Sequence, residues 1–197
     1  MPVNAGRRFS QAVAEGDGIS LIARIQAPGD AARVEESGAE AVLVAAGDGE
    51  RIEQIRAATS LPVVFTLNGR QGERVAGADA CIVDVAGDRE WLDQIHDELR
   101  ETCEIAYRID DEEHLESVLE EFDPEIFVLA ASGATGEQAL ERVLDLLPDV
   151  PAGKLAIAEL AEATRDDVGA LERAGFDGVI VDPRSVAELV GGVPPEV

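Results

Sequence analysis

The chain is nearly devoid of lysine: Lys154 is the only one among 197 residues, and every other basic residue is an arginine. Aromatic residues make up 4%, and there are two cysteines. Cys81 and Cys103 fall in apolar runs without CxxC spacing, so no zinc site is expected and both read as buried, reduced thiols. No apolar run approaches the ~18–20 residues of a membrane span. Residues 1–18 carry Arg7 and Arg8 but no apolar stretch before a cleavage site, so no signal peptide and no membrane partner are expected. Positive charge is scarce too, with 16 basic residues against 41 acidic ones, a net charge of −25. A nucleic-acid partner would require the opposite sign.

What is present is an apolar fraction of 46%, enough for one globular domain over residues 1–197 and too much for a disordered chain. Carboxylates that keep a surface hydrated and repulsive suit a cytoplasm of molar salt, where screening falls to a few ångströms. An extreme halophile's cytosolic protein is the expectation. Trp91 shares helical spacing with Ile95 and is expected in the core, while His96 and His114, among acids, are expected at the surface.

Short apolar runs alternate with amphipathic stretches. Eight runs read as strands: ISLIARI, EAVLVAA, LPVVFTL, ACIVDVA, EIAYRI, EIFVLAA, KLAIAEL and GVIVD. Helical patterns lie between them, thin only at GRQGERV, and PRSVAELV closes the series. SGAEAVLV, AGADACIV and AGFDGVIV form an internal echo before the second, fourth and eighth runs. Gly38, Gly77 and Gly175 are placed to end the preceding helices; FDPEIFVL fills the same slot before the sixth run, with Pro124 as the stop. The repeating unit is therefore a pair of βα elements. Near-continuous apolar strands alternating with helices indicate a parallel sheet, and eight units predict a single-domain (β/α)8 TIM barrel, with residues 1–18 as a lead-in. The first turn, QAPGDAA, lacks the GxGxxG of an open dinucleotide-binding sheet.

In such a barrel, function sits at the carboxyl ends of the strands. The loops there are short: QAPGD, GDGE, AGDR and DD follow strands one, two, four and five. Two strands carry an arginine near that end, Arg24 in ISLIARI and Arg108 in EIAYRI. Gln26 shares a face with Arg24.

The collinear order of RRFSQAVAEGDGISLIARIQ, ARVEESGAEAVLVAA, IRAATSLPVVF, VAGADACIVDV, IDDEEHLESVLEEFDPEIFVLA, LPDVPAGKLAIAEL and DDVGALERAGFDGVIVD resembles indole-3-glycerol phosphate synthase over nearly the whole chain after about residue 7. That resemblance implies ring closure with decarboxylation of an anthranilate-derived ribulose phosphate, with a lysine as general acid and without a cofactor. It also implies that most of the apparatus is replaced. Arg24-Ile25-Gln26 stands where the family has Glu-x-Lys, and Thr66 stands in place of the general-acid lysine. Arg108 replaces a glutamate, and Ala130 or Ala131 an asparagine; Glu159 alone matches. The Ser-Gly that holds phosphate reads Leu160-Ala161. The glycine and small polar residues after strand eight read Asp182-Pro183-Arg184, with Asp182 expected as a helix N-cap and Pro183 at N1.

Three functions follow as expectations. The first is a barrel without synthase activity that acts as a binding or partner protein, with a protein partner expected on the less acidic helix faces. The second is an enzyme or anion-binding barrel of altered chemistry around Arg24, Arg108 and Glu159, with Glu159 as its acid or base and Arg24, Gln26, Arg108, Asp182 and Arg184 as the groups for a small carboxylate or phosphate. The third is the synthase itself, a decarboxylating lyase of tryptophan biosynthesis. The arginines are expected to pair with Glu159, Asp84 or Asp182. Hard cations take oxygen ligands, but carboxylates such as Asp84, Asp110, Glu159 and Asp182 are expected by chance in so acidic a chain, and no metal site is assigned.

Overall fold

In a computed structural model, which describes residues 6–16, 18–45, 51–67, 77–86 and 89–190, eight parallel strands form a closed barrel in sequence order. They are β1 (Ser20–Ile25), β2 (Ala41–Val44), β3 (Val63–Leu67), β4 (Ala80–Asp84), β5 (Glu104–Ile109), β6 (Ile126–Ala130), β7 (Leu155–Glu159) and β8 (Gly178–Val181). Closure comes from β1 pairing with β8, Ser20 beside Gly178 and Ala23 beside Val181. Helices α1 (Arg8–Ala14), α2 (Pro28–Glu36), α3 (Ile52–Ala58), α4 (Arg89–Leu99), α5 (Glu112–Phe122), α6 (Gly136–Leu146), α7 (Arg165–Ala174) and α8 (Val186–Leu189) accompany them. Among the described residues no helix is long and apolar enough to cross a membrane. The GRQGERV stretch, the GDGE turn and Gly87-Asp88 of AGDR lie outside the described residues.

Strand alternation explains why the runs look continuously apolar. One set of side chains, Ile22, Leu43, Val64, Ile82, Val128, Ile157 and Ile180, fills the barrel interior. The alternate set, including Val42, Phe65, Tyr107 and Phe127, packs under the helices. Both faces are buried along most of each strand, so polar side chains are confined to positions near the strand ends. Trp91 is half-buried against that outer layer, as its spacing predicts.

The echo has a structural reason. Gly175 ends α7 at φ +105°, a left-handed position that favours glycine, and Gly38 and Gly77 take φ +96°. In each echo the acid then clamps the preceding odd-numbered strand. Glu40 donates its N–H to the Leu21 carbonyl at 3.0 Å and accepts the Leu21 N–H on its carboxylate at 3.1 Å. Asp79 does the same to Val63, at 2.8 Å in both directions, and Asp177 to Ala156, at 2.9 and 2.8 Å. The sixth-strand slot differs: Asp123, at φ +42°, ends α5 in place of Pro124. Its acid Glu125 takes the Lys154 ammonium at 3.1 Å.

Helix α1 was not expected within the lead-in. Phe9 and Val13, one turn apart, plug the amino-terminal end of the barrel and belong to its interior cluster. Its first turn is capped from a distance: the Glu104 carboxylate accepts the Phe9 N–H at 2.7 Å and the Ser10 N–H at 3.1 Å. His96 also departs from expectation. It is half-buried, its Nδ1 is 2.6 Å from the Tyr107 hydroxyl, and its ring lies 4.8 Å from that of Phe122.

Candidate functional site

The carboxyl-terminal mouth is built from inward positions at the strand ends. On β1 the alternation Ser20, Ile22, Arg24 turns Arg24 inward, and on β5 Glu104, Ala106, Arg108 does the same. Asp84 on β4 is the lateral neighbour of Arg108. On β6 the inward residue is Ala130, following Ile126 and Val128, while Ala131 packs into the outer layer. Ala130, which neighbours Glu159 laterally, is thus the inward residue of the pair at which the resemblance implies an asparagine.

These side chains form one ion network. Glu159 is held from two sides: Arg24 Nη2 donates to Oε1, and Arg108 Nε donates to Oε2 at 2.6 Å. Arg108 extends the network to Asp84 Oδ2 at 3.3 Å and to Ser132 Oγ at 3.4 Å. Asp84 in turn accepts the Ala86 N–H at 3.0 Å. Two positive and two negative charges thus balance in the mouth. Burial works against the Glu159 charge, but Arg108 and then Arg24 outweigh it and hold the carboxyl below its ordinary value. Burial likewise opposes the Arg108 charge, and Glu159, Asp84 and Asp110 reverse that effect, so its guanidinium is held above its ordinary value.

Around the network lies a recess of about 320 Å³ lined by Thr66 and Leu43 as well as the charged residues. A second recess of about 520 Å³ extends over β7, β8 and β1, where Arg24, Gln26, Arg33, Leu160-Ala161 and Asp182 to Arg184 line it. There Arg184 folds back on Asp182, with Nε 3.0 Å from Oδ1 and Nη2 3.1 Å from Oδ2. The Arg184 side-chain and backbone hydrogen bonds hold the Asp182 carboxyl below its ordinary value. Asp182 is therefore not the N-cap of α8, a place taken by Ser185. Instead its side chain accepts the Arg184 N–H at 2.9 Å and closes a turn. Nor does Asp182 hydrogen-bond a strand arginine, as Arg24 and Arg108 turn to Glu159 and Asp84.

Two of the described turns at the mouth are short. Only Gln26 and Ala27 separate β1 from α2, and only Asp110 and Asp111 separate β5 from α5. At the latter turn Asp111 caps α5 by accepting the His114 N–H at 2.8 Å. His114 Nδ1 is shielded from solvent 2.9 Å from Asp111 and 3.4 Å from Asp110, without hydrogen-bond geometry to either. Asp110, Asp111 and His114 bring three potential ligand atoms within 4.8 Å of one another. They are the described residues closest to a cation-binding arrangement, although an acidic turn of this kind is also complete as a helix cap. Asp84, Glu159 and Asp182, by contrast, are already committed to arginines.

Two juxtapositions were not visible in the sequence. Cys81 and Cys103, 22 positions apart, place their sulfurs 3.4 Å from each other as free thiols. The neighbouring sulfur and burial hold the Cys81 thiol well above its ordinary range. The lone lysine lies at the opposite end of the barrel from the mouth, just before β7, between Asp123 and Glu125 at 3.0 and 3.1 Å.

No protein-family model matches the chain. It is 30% identical over 167 residues to an indole-3-glycerol phosphate synthase of Shouchella clausii, covering 75% of this chain and 63% of the relative. Similar proteins of that name from Variovorax paradoxus and Chlorobium limicola are 30% and 28% identical, each covering 68% of this chain and 53% and 55% of their own lengths. The chain thus spans less than two thirds of the curated relatives it matches. Among solved structures, a thiamine phosphate pyrophosphorylase from Pyrococcus furiosus superposes with a TM-score of 0.69 at 13% identity, over 87% of this chain and 93% of that one. That likeness concerns the fold.

Proposed function

Because the chain is a divergent ribulose-phosphate-binding barrel related to the indole-3-glycerol phosphate synthases, we propose that it has lost the ring-closing reaction and serves as a binding barrel for a small carboxylate or phosphate. The observation that carries this reading is the clamping of Glu159, the one acid at a family position, between Arg24 and Arg108. Ring closure needs a proton donor of intermediate strength. Glu159 is held too acidic to keep a proton near neutrality, and Arg108 too basic to release one. Thr66 stands at the position of the general-acid lysine, and Lys154 is anchored at the other end of the barrel.

An anion-binding role draws on the 520 Å³ recess, where Arg24, Arg33 and Arg184, paired with Glu159, Asp30 and Asp182, come together in a chain of net charge −25. The side chains of Arg24 and Arg184 are 47% and 86% exposed, so an incoming anion has guanidinium groups to engage. The acid excess supports a protein that works in molar salt.

The test is a turnover assay in molar potassium chloride with the anthranilate-derived ribulose phosphate, followed by indole fluorescence, alongside thermal unfolding in rising phosphate. The expected result is no turnover by folded protein and a rise in Tm that Arg24→Ala removes. Turnover abolished by Glu159→Gln would restore the synthase reading, and a Tm indifferent to phosphate and to small carboxylates would remove the anion-binding one.

A further inference from the structure

The amino-terminal end of the barrel carries a feature that the mouth does not explain. Helix α1 plugs the interior with Phe9 and Val13, but beside its Ser10, Gln11 and Ala14 a cleft of about 650 Å³ remains. It runs along the ends of α4 and α5 and the first residues of β5, β6 and β7, and it is larger than either recess at the mouth.

Its surface is largely apolar and partly aromatic. Ile105, Phe122 and Leu155 line it and are each only half-buried. The Phe122 ring stacks on Tyr107 at 5.2 Å and tilts against His96 at 4.8 Å, while the Tyr107 hydroxyl is bound to His96 Nδ1. All three side chains line the cleft and hold one another in place.

Charge in the cleft is uneven in its commitments. Glu104 has both oxygens on the backbone of α1, and Asp123 and Glu125 share the Lys154 ammonium. Each lining acid thus has a partner, with Asp123 and Glu125, 81% and 66% exposed, sharing one ammonium. The two lining arginines are less committed: among the described residues Arg7 has no side-chain partner. Arg100 has only an exposed contact with Asp97 at 3.5 Å, of a kind that contributes little. A concave, mostly apolar surface with a few convergent polar groups is the usual form of a small-molecule site. Here the uncommitted polar groups are cationic, against a net charge of −25 for the whole chain.

We propose that this cleft binds a small aromatic carboxylate, its ring packed on Ile105 and Phe122 and its carboxylate facing Arg7 and Arg100. The site is independent of the mouth and of any ligand bound there. Ring contact draws on apolar burial and edge-to-face packing, and the carboxylate on charge-assisted hydrogen bonds from guanidinium.

The probe is 1-naphthoate, titrated calorimetrically into the full chain in 1 M potassium chloride, with 1-naphthalenemethanol as its uncharged counterpart. The expected result is saturable binding at one site, at least tenfold weaker for the alcohol and for the doubly substituted Arg7→Ala/Arg100→Ala protein. Both arginines are exposed, so that variant keeps its fold, which its unfolding midpoint will verify. Gln11→Trp, which fills the cleft from the exposed face of α1, is expected to block binding, and Arg24→Ala at the mouth to leave it unchanged. Absence of saturable binding, binding indifferent to Arg7 and Arg100, or binding lost in Arg24→Ala would each overturn the proposal.

Discussion

Arg108 and Glu159 stand on β5 and β7, with β6 between them, and join Nε to Oε2 at 2.6 Å. The inward residue at the end of β6 is Ala130, the lateral neighbour of Glu159. A longer side chain there is expected to crowd the pair. The network therefore depends on a small residue at the place where the synthase resemblance implies an asparagine, as much as on the charged groups themselves.

Arg108→Ala leaves Glu159 and Asp84 short of their shared partner in a half-buried setting. The expected loss is about 2–4 kcal/mol, below the ~3–5 kcal/mol of a fully buried pair because solvent reaches part of the network. Arg24 is half-exposed, and Arg24→Ala is expected to cost under about 1 kcal/mol. Denaturant midpoints of the two variants at constant salt check the ordering.

Acid should weaken the fold through Glu159. Its folded pKa lies below the ordinary value of 4.5, so its contribution is fully present above about pH 4.5 and is lost as pH falls toward the depressed value. Stability measured from pH 6 down to pH 3 is expected to fall less steeply in Glu159→Gln than in the unsubstituted chain. The variant will be less stable at pH 6, and the two curves will converge at the acid end.

Glu104→Ala removes the acceptor for two backbone N–H groups of α1. A charged acceptor lost from a partly buried cap costs about 1–3 kcal/mol. Amide exchange should accelerate at Phe9 and Ser10 before it does in β1, because α1 will open without the barrel opening. Equal acceleration in both would mean that α1 and the barrel form one cooperative unit.

Asp177→Ala breaks one half of the clamp on Ala156 and leaves that N–H at the start of β7 without its acceptor. The expected cost is about 1–3 kcal/mol. Glu40→Ala, which breaks the equivalent contact at Leu21, should cost a similar amount, because the two sites share one geometry. Asp79→Ala should cost more, since Asp79 also holds Arg8 at 3.2 Å and Arg56 at 3.4 Å. Guanidinium unfolding of the three variants tests the series.

All eight strands were legible because each is buried on both faces and so stands out as an apolar run between amphipathic stretches. The pairing of the mouth arginines with Glu159 and Asp84 was legible too, since strand alternation puts those residues on the inner face. The synthase resemblance, carried by the order of the motifs, matched the relatives found by comparison. Helix α1 was not legible: seven residues with two apolar anchors give too little periodicity, and its cap is supplied by Glu104, far along the chain. The local pattern around Asp182 suggested a helix cap, but Arg184, two residues on, captured the carboxylate and closed a turn instead. The echoed acids announced a repeat without revealing that they clamp the preceding strand. The thiol pair and the His96–Tyr107 contact arise from side-by-side packing of elements, which no one-dimensional spacing encodes.

The cap on α1 also sets an order of events in synthesis. Phe9 finds its acceptor 95 positions downstream, so while the chain is being made its first helix has no completed end until β5 has emerged. Nor can β1 gain its second neighbour before β8 is available. The plug is therefore set into a wall already half built, and the contact that closes the ring waits for the final strand.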